Sequence, residues 1–97
     1  MVKCRVEKVL QYNQYELKFG DKKQILTIEL YNFDKLNVGE NIFIANNLLD
    51  KNNRDFCSLY AFEPTKIDLN EVKRFPETDF LVVERQGKKY LLKRIYG

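Results

Sequence analysis

Apolar and polar residues alternate with a period of two along most of this chain, the repeat of a strand that buries one of its faces. Val2, Cys4 and Val6 alternate with Lys3, Arg5 and Glu7, and the alternation slips near Lys8 and Val9, where a bulge or bend is expected. After a short turn at Gln11-Tyr12-Asn13, a second strand sets Tyr15, Leu17 and Phe19 against Gln14, Glu16 and Lys18. Gly20-Asp21-Lys22-Lys23 reads as a hairpin loop, with Gly20 free to take positive φ. A third strand from about Gln24 to Tyr31 turns Leu26, Ile28 and Leu30 inward and Ile25, Thr27, Glu29 and Tyr31 outward. The turn at Val38-Gly39-Glu40 leads into a fourth strand, Asn41 to about Leu49, and a polar loop tip at 50–55 precedes a fifth, about Phe56 to Phe62, which Pro64 ends.

Beyond Pro64 the pattern changes. Asp68-Leu69-Asn70-Glu71 has the form of a capping box, so a short helix is expected over 68–74, stopped by Phe75-Pro76. Residues 79–96 read as a hairpin centred on Gln86-Gly87. Pairing outward from that turn sets Glu84 against Lys89, Val83 against Tyr90, Val82 against Leu91, Leu81 against Leu92 and Asp79 against Arg94. Apolar meets apolar and acid meets base, which a wrong register would not give. Arg85 opposite Lys88 is the one unfavourable pair.

The strand order and one motif bear on the fold. Leu36-Asn37-Val38-Gly39-Glu40-Asn41-Ile42-Phe43-Ile44 resembles the approach to the fourth strand of many OB-fold barrels. The resemblance covers roughly residues 2–62 and implies a mainly β, five-stranded OB-like barrel, with an SH3-like barrel as the alternative; the short helix and the C-terminal β-hairpin would be additions to it. The connection 32–37 is too short for the helix that OB folds usually place there. The whole is expected to be one domain of 97 residues.

Two surface features stand out. Strands four and five are apolar on both faces, and a barrel uses one face of each strand for its core. An aromatic face of Phe43, Phe56, Tyr60 and Phe62 therefore needs a cover. Either the C-terminal hairpin packs on it through Phe80, Val82 and Leu91, or it is a site for stacked bases or a partner chain. The second feature is charge. The formal net charge is +3, yet residues 85–97 hold five bases and no acid, while the remainder holds twelve bases and fourteen acids. Arg85, Lys88, Lys89, Lys93 and Arg94, with Tyr90 and Tyr96 among them, have the composition that a phosphate backbone with stacked bases calls for. The plainer reading of those lysines is a solvated face guarding an edge strand. On the outer side of strands two and three, Glu16 and Glu29 would repel phosphate, and Lys3, Arg5 and Lys18 offset them only in part.

Chemistry narrows the field further. The chain has no histidine, and its single serine, Ser58, lies inside a strand with no base to activate it. The glycines are scattered, so no phosphate-binding loop forms. The loop 50–55 has Asp55 where a calcium loop needs glycine, and Ala61 where it needs glutamate. Cys4 and Cys57 are expected to be reduced core thiols; a disulfide between them is the alternative. No apolar run approaches the roughly 20 residues of a membrane span, and the start of the chain lacks the unbroken apolar stretch of a signal peptide, so a cytoplasmic location is the expectation. The pattern points to a non-enzymatic binding module without cofactor or metal. The expected ligand is single-stranded nucleic acid, met through the basic hairpin. The alternative is a protein-interaction or structural subunit that uses the aromatic face or a sheet edge.

Overall fold

A computed structural model describes residues 1–49, 58–68 and 70–95. Among them, seven strands close into one barrel: β1 (Val2–Val9), β2 (Gln14–Phe19), β3 (Lys22–Leu30), β4 (Asn41–Ile44), β5 (Ser58–Pro64), β6 (Phe80–Arg85) and β7 (Lys88–Arg94). Around the wall they run β1-β2-β3-β5-β7-β6-β4 and return to β1. β1, β2 and β3 form a meander through tight turns, and the expected bulge falls between Val6 and Lys8, so Val6 faces Leu17 and Lys8 faces Glu16. Gly20 takes φ +61° in the β2–β3 turn, and the Gln86-Gly87 turn has φ of 51° and 79°. β3 and β5 are parallel, which demands a crossover; β4 lies in that crossover, on the far side of β1.

The inward positions are those that the alternation marks. Cys4, Val6, Tyr15, Leu17, Leu26, Ile28, Ile42 and Ile44 lie in one buried cluster. The turn before β4 is pinned from three sides. Gly39, at φ +90°, donates its N–H to Val6 O (2.8 Å), Val6 N–H donates to Glu40 O (2.9 Å), and Leu36 N–H donates to the buried Tyr15 hydroxyl (3.3 Å). Leu36 is buried while Val38 stands in solvent, so the turn inserts one apolar side chain and not the other.

Three expectations are corrected. The barrel has seven strands rather than five, because the C-terminal hairpin is part of its wall. β6 pairs with β4 and β7 with β5, so the hairpin separates two strands that would otherwise have to close on each other. Its internal register is the expected one from Arg85↔Lys88 to Leu81↔Leu92, and Phe80 then faces Lys93; Asp79 stops short of the ladder. The hairpin can serve as wall because both its faces are apolar. Leu81, Val83 and Leu92 enter the barrel core, while Phe80, Val82 and Leu91 form a second cluster outside it.

The second correction concerns 68–74. No α-helix forms among the described residues there, only single 3-10 turns at Val72–Arg74 and Glu77–Asp79. Asp68 Oδ1 accepts the Asn70 N–H (3.3 Å), an Asx turn that competes with a helical start. The segment is a strap rather than a helix: Ile67 and Val72 lie over the outer cluster, and Phe75 meets Phe80 edge to face at 5.3 Å. The third correction is to β4, which ends at Ile44 and gives way to a 3-10 turn at Asn46–Leu48 that carries Leu48 and Leu49 into the core.

Candidate functional site

The six hairpin residues expected to meet nucleic acid do not form one surface. Arg85 lies on the inward side of the alternation, at the barrel rim, where it makes a two-pronged ion pair with Glu40: Nε donates to Oε2, and the terminal nitrogen donates to Oε1 at 2.8 Å. The same terminal nitrogen donates to Lys35 O (3.0 Å), and the guanidinium lies 4.7 Å over the Phe33 ring. The Arg85 hydrogen bonds hold the Glu40 carboxyl below its ordinary pKa, and Glu40 in turn raises that of Arg85. Arg85 is thus committed to the fold. Tyr90 sits beside it, edge to face on Phe33 at 5.4 Å. Arg94, four residues along β7, stacks over Tyr60 at 5.0 Å, with buried Leu92 between it and Tyr90 in the alternation. Lys89 and Lys93 point to the outer wall, where each has an acid directly across, Glu84 and Glu63 respectively, and Lys89 also covers the Phe43 ring at 5.5 Å. Lys88 remains at the exposed hairpin tip.

The expected aromatic face also divides. Phe62 is fully buried in the barrel core with Tyr60 packed beside it, whereas Phe43 is outside, against Phe80, Val82 and Leu91. The hairpin does meet Phe43, as expected, but as its neighbour in the sheet; the strap supplies the cover. Phe56, Cys57, Tyr96 and the loop 50–55 lie outside the described residues. Cys4 is a free, buried thiol, and burial pushes its pKa up to about 11, away from reactivity. Among the described residues, no group of His, Cys, Asp and Glu could hold a metal ion, and no helix is long and apolar enough to cross a membrane.

The outer wall of β1, β2 and β3 is better organised than its mixture of acids and bases suggests. On the outer wall, register sets Asn41 of β4 opposite Arg5 of β1, Arg5 opposite Lys18 of β2, and Lys18 opposite Lys23 of β3. Three bases thus stand in a row across three neighbouring strands, about 10 Å from end to end at the usual strand spacing. All three are exposed, and exposed Lys3 stands two residues from Arg5 on the same face. Two acids share this wall, and one of them is paired with the end of the row. Glu16 is opposite Lys8 and 3.8 Å from Lys23 Nζ, and Glu29 accepts the Tyr31 hydroxyl at 2.9 Å. Like charges directly across an antiparallel pair destabilise it. Lysines often guard free edges, but β1 and β2 have partners on both sides and no edge to guard.

At the far end of the same strands, the β1–β2 turn presents Tyr12, which is 85% exposed, beside exposed Val9 and Leu10. Neither this turn nor the basic row could be singled out from sequence. The row exists only through the register of three strands, and the turn's conformation only through its φ angles. Compared with protein-family models, with curated proteins and with solved structures, the chain matches none.

Proposed function

We propose that this protein is a non-enzymatic module that binds single-stranded nucleic acid, and that it does so on the outer wall of β1, β2 and β3 rather than on the hairpin. The observation that carries the reading is the row Arg5–Lys18–Lys23, three bases held opposite one another, Arg5 and Lys18 with a partner strand on either side. A phosphate backbone laid across them turns a mutual repulsion into binding, with release of counterions. The hairpin is a weaker candidate, since Arg85 is bound to Glu40 and the outer lysines of β7 face acids. With β6 and β7 set aside, the remaining strands follow one another as β1-β2-β3-β5-β4, the strand number of an OB fold, and the β2–β3 wall is where such folds meet oligonucleotides. The alternative, a protein-interaction subunit, has less to stand on. Of its described aromatic residues, Tyr60 and Phe62 belong to the core and Phe43 lies beneath the strap, and the described strands close into one barrel.

The test is fluorescence anisotropy with labelled single-stranded DNA and RNA of about 12 nucleotides, a length within the range of small single-strand binders. Affinity should fall with salt at a log–log slope of roughly −2 to −3, as three or four phosphate contacts require. Lys18→Glu should weaken binding at least about tenfold and reduce the slope. It should not harm folding, because it relieves the repulsion with Arg5 and Lys23. Lys88→Glu should change little. Loss of binding in Lys88→Glu with none in Lys18→Glu would return the site to the hairpin. No binding at low salt would end the nucleic-acid reading.

A further inference from the structure

The β1–β2 turn combines exposure with a backbone that its residues do not favour. Tyr12 and Asn13 both have positive φ, 59° and 60°. Two-residue hairpin turns take such a pair readily when it is Asn-Gly, because glycine, and to a lesser degree asparagine, tolerate this region. A bulky aromatic residue there is an outlier. The turn is well fixed: Gln14 N–H closes it on Gln11 O (3.3 Å), Leu10 N–H donates to Gln14 O (2.8 Å), and Ile28 N–H of β3 donates to Asn13 O (2.9 Å). Tyr12 thus holds a strained conformation on a fixed support, with its ring in solvent and no packing return. Strain of this kind persists where the side chain has another use.

The turn shares strands with the basic row. From Lys18 back to Gln14 along β2 is roughly 13 Å, so the ring stands one further turn beyond the charges. We infer that Tyr12 is a base-stacking residue, and that the ligand of the wall is therefore an oligonucleotide single strand long enough to reach from the bases at Arg5, Lys18 and Lys23 to this turn. The inference rests on the proposed nucleic-acid reading and adds the chemistry of recognition: unpaired nucleobases at the turn, phosphates at the row. Val9 and Leu10, just before the turn, are exposed as well. A tyrosine ring stacks any base, so the contact favours single strands over duplexes without reading sequence.

The experiment compares two probes, a labelled oligothymidylate of about 12 nucleotides and inorganic polyphosphate, a polyanion with no bases. Tyr12→Gly should lower oligothymidylate affinity about tenfold, the effect of losing one stacked base. It should leave polyphosphate affinity unchanged and keep or raise the thermal midpoint, because glycine relaxes the turn. Tyr12→Phe should retain the wild-type affinity for both. Lys18→Glu should weaken both probes alike. Equal oligothymidylate binding by the wild type and Tyr12→Gly overturns the stacking role while leaving the basic row in place. Failure of the wild type to bind either probe overturns the row itself, and a loss of midpoint in Tyr12→Gly would show the ring to be structural.

Discussion

Gln24 lies on the inward face of β3, 5% exposed, and among the described residues neither its amide nitrogen nor its amide oxygen has a hydrogen-bond partner. Unpaired amide atoms in a barrel interior are costly, while methionine has nearly the same length and no such atoms. We expect Gln24→Met to raise the stability by about 1 kcal/mol, read as a higher urea midpoint at unchanged slope. A lower midpoint would mean that the amide is satisfied in solution. The contrast with Tyr15 is instructive. Its equally buried hydroxyl accepts the Leu36 N–H, and burial raises its pKa. Both residues sit at inward positions of a clear alternation, so a polar side chain at such a position is legible in the sequence. Whether it finds a partner depends on a connection twenty or more residues away.

At the scale of elements, the Arg85–Glu40 pair joins the end of β6 to the turn before β4, and Glu40 Oε1 also accepts the Asn37 N–H at 2.7 Å. The pair is mostly enclosed, with side-chain exposures of 18% and 12%. Because the folded carboxyl titrates below its ordinary value of 4.5, its contribution is fully present above that pH and is lost as pH falls through the depressed folded value. Glu40→Gln should therefore cost about 2 kcal/mol at neutral pH. The variant should also unfold with a flatter dependence on acid below about pH 4.5 than the parent, in urea titrations across that range. An equal pH dependence in both would place the acid-sensitive interaction elsewhere. Sequence put Arg85 opposite Lys88 and marked it as an unfavourable, ligand-seeking charge. The register was right, but the guanidinium is satisfied by a carboxylate 45 residues earlier in the chain.

For the whole molecule, the hairpin decides whether there is a barrel at all. Were it an appendage on a five-stranded barrel, a chain ending at residue 79 would fold. In the closed order β5-β7-β6-β4, removing β6 and β7 leaves β4 and β5 with one open side each and takes Leu81, Val83 and Leu92 out of the core. The expected outcome for a 1–79 fragment is loss of the β-sheet circular dichroism and of the cooperative unfolding transition. A cooperatively folded fragment would mean that β4 and β5 can close without the hairpin.

The existence of the strands, the inward faces of β1 to β4, the bulge near Lys8, the turns at Gly20 and Gln86-Gly87 and the β6–β7 register were determined by the sequence, whereas the end of β4 and the inward face of β5, which carries Tyr60 and Phe62, were not. Each of the former depends on side-chain alternation or turn chemistry within a few residues. The tertiary structure alone decided what lies side by side. It placed β5 parallel to β3, the hairpin inside the wall, and Ile67, Val72 and Phe75 of the strap against Phe80, Val82 and Leu91. The strands β1, β2 and β3 hold six bases and three acids, mixed along the sequence. Strand register orders them, bringing Arg5, Lys18 and Lys23 into one row, with Glu16 paired to Lys23 at its end and Glu29 outside it. Pairing between distant strands has no local signal, because the hydrogen-bonding edge of one strand is chemically the same as that of another. Only the requirement that every buried face be covered and every edge be closed selects the neighbours, and with them the surface that a ligand would meet.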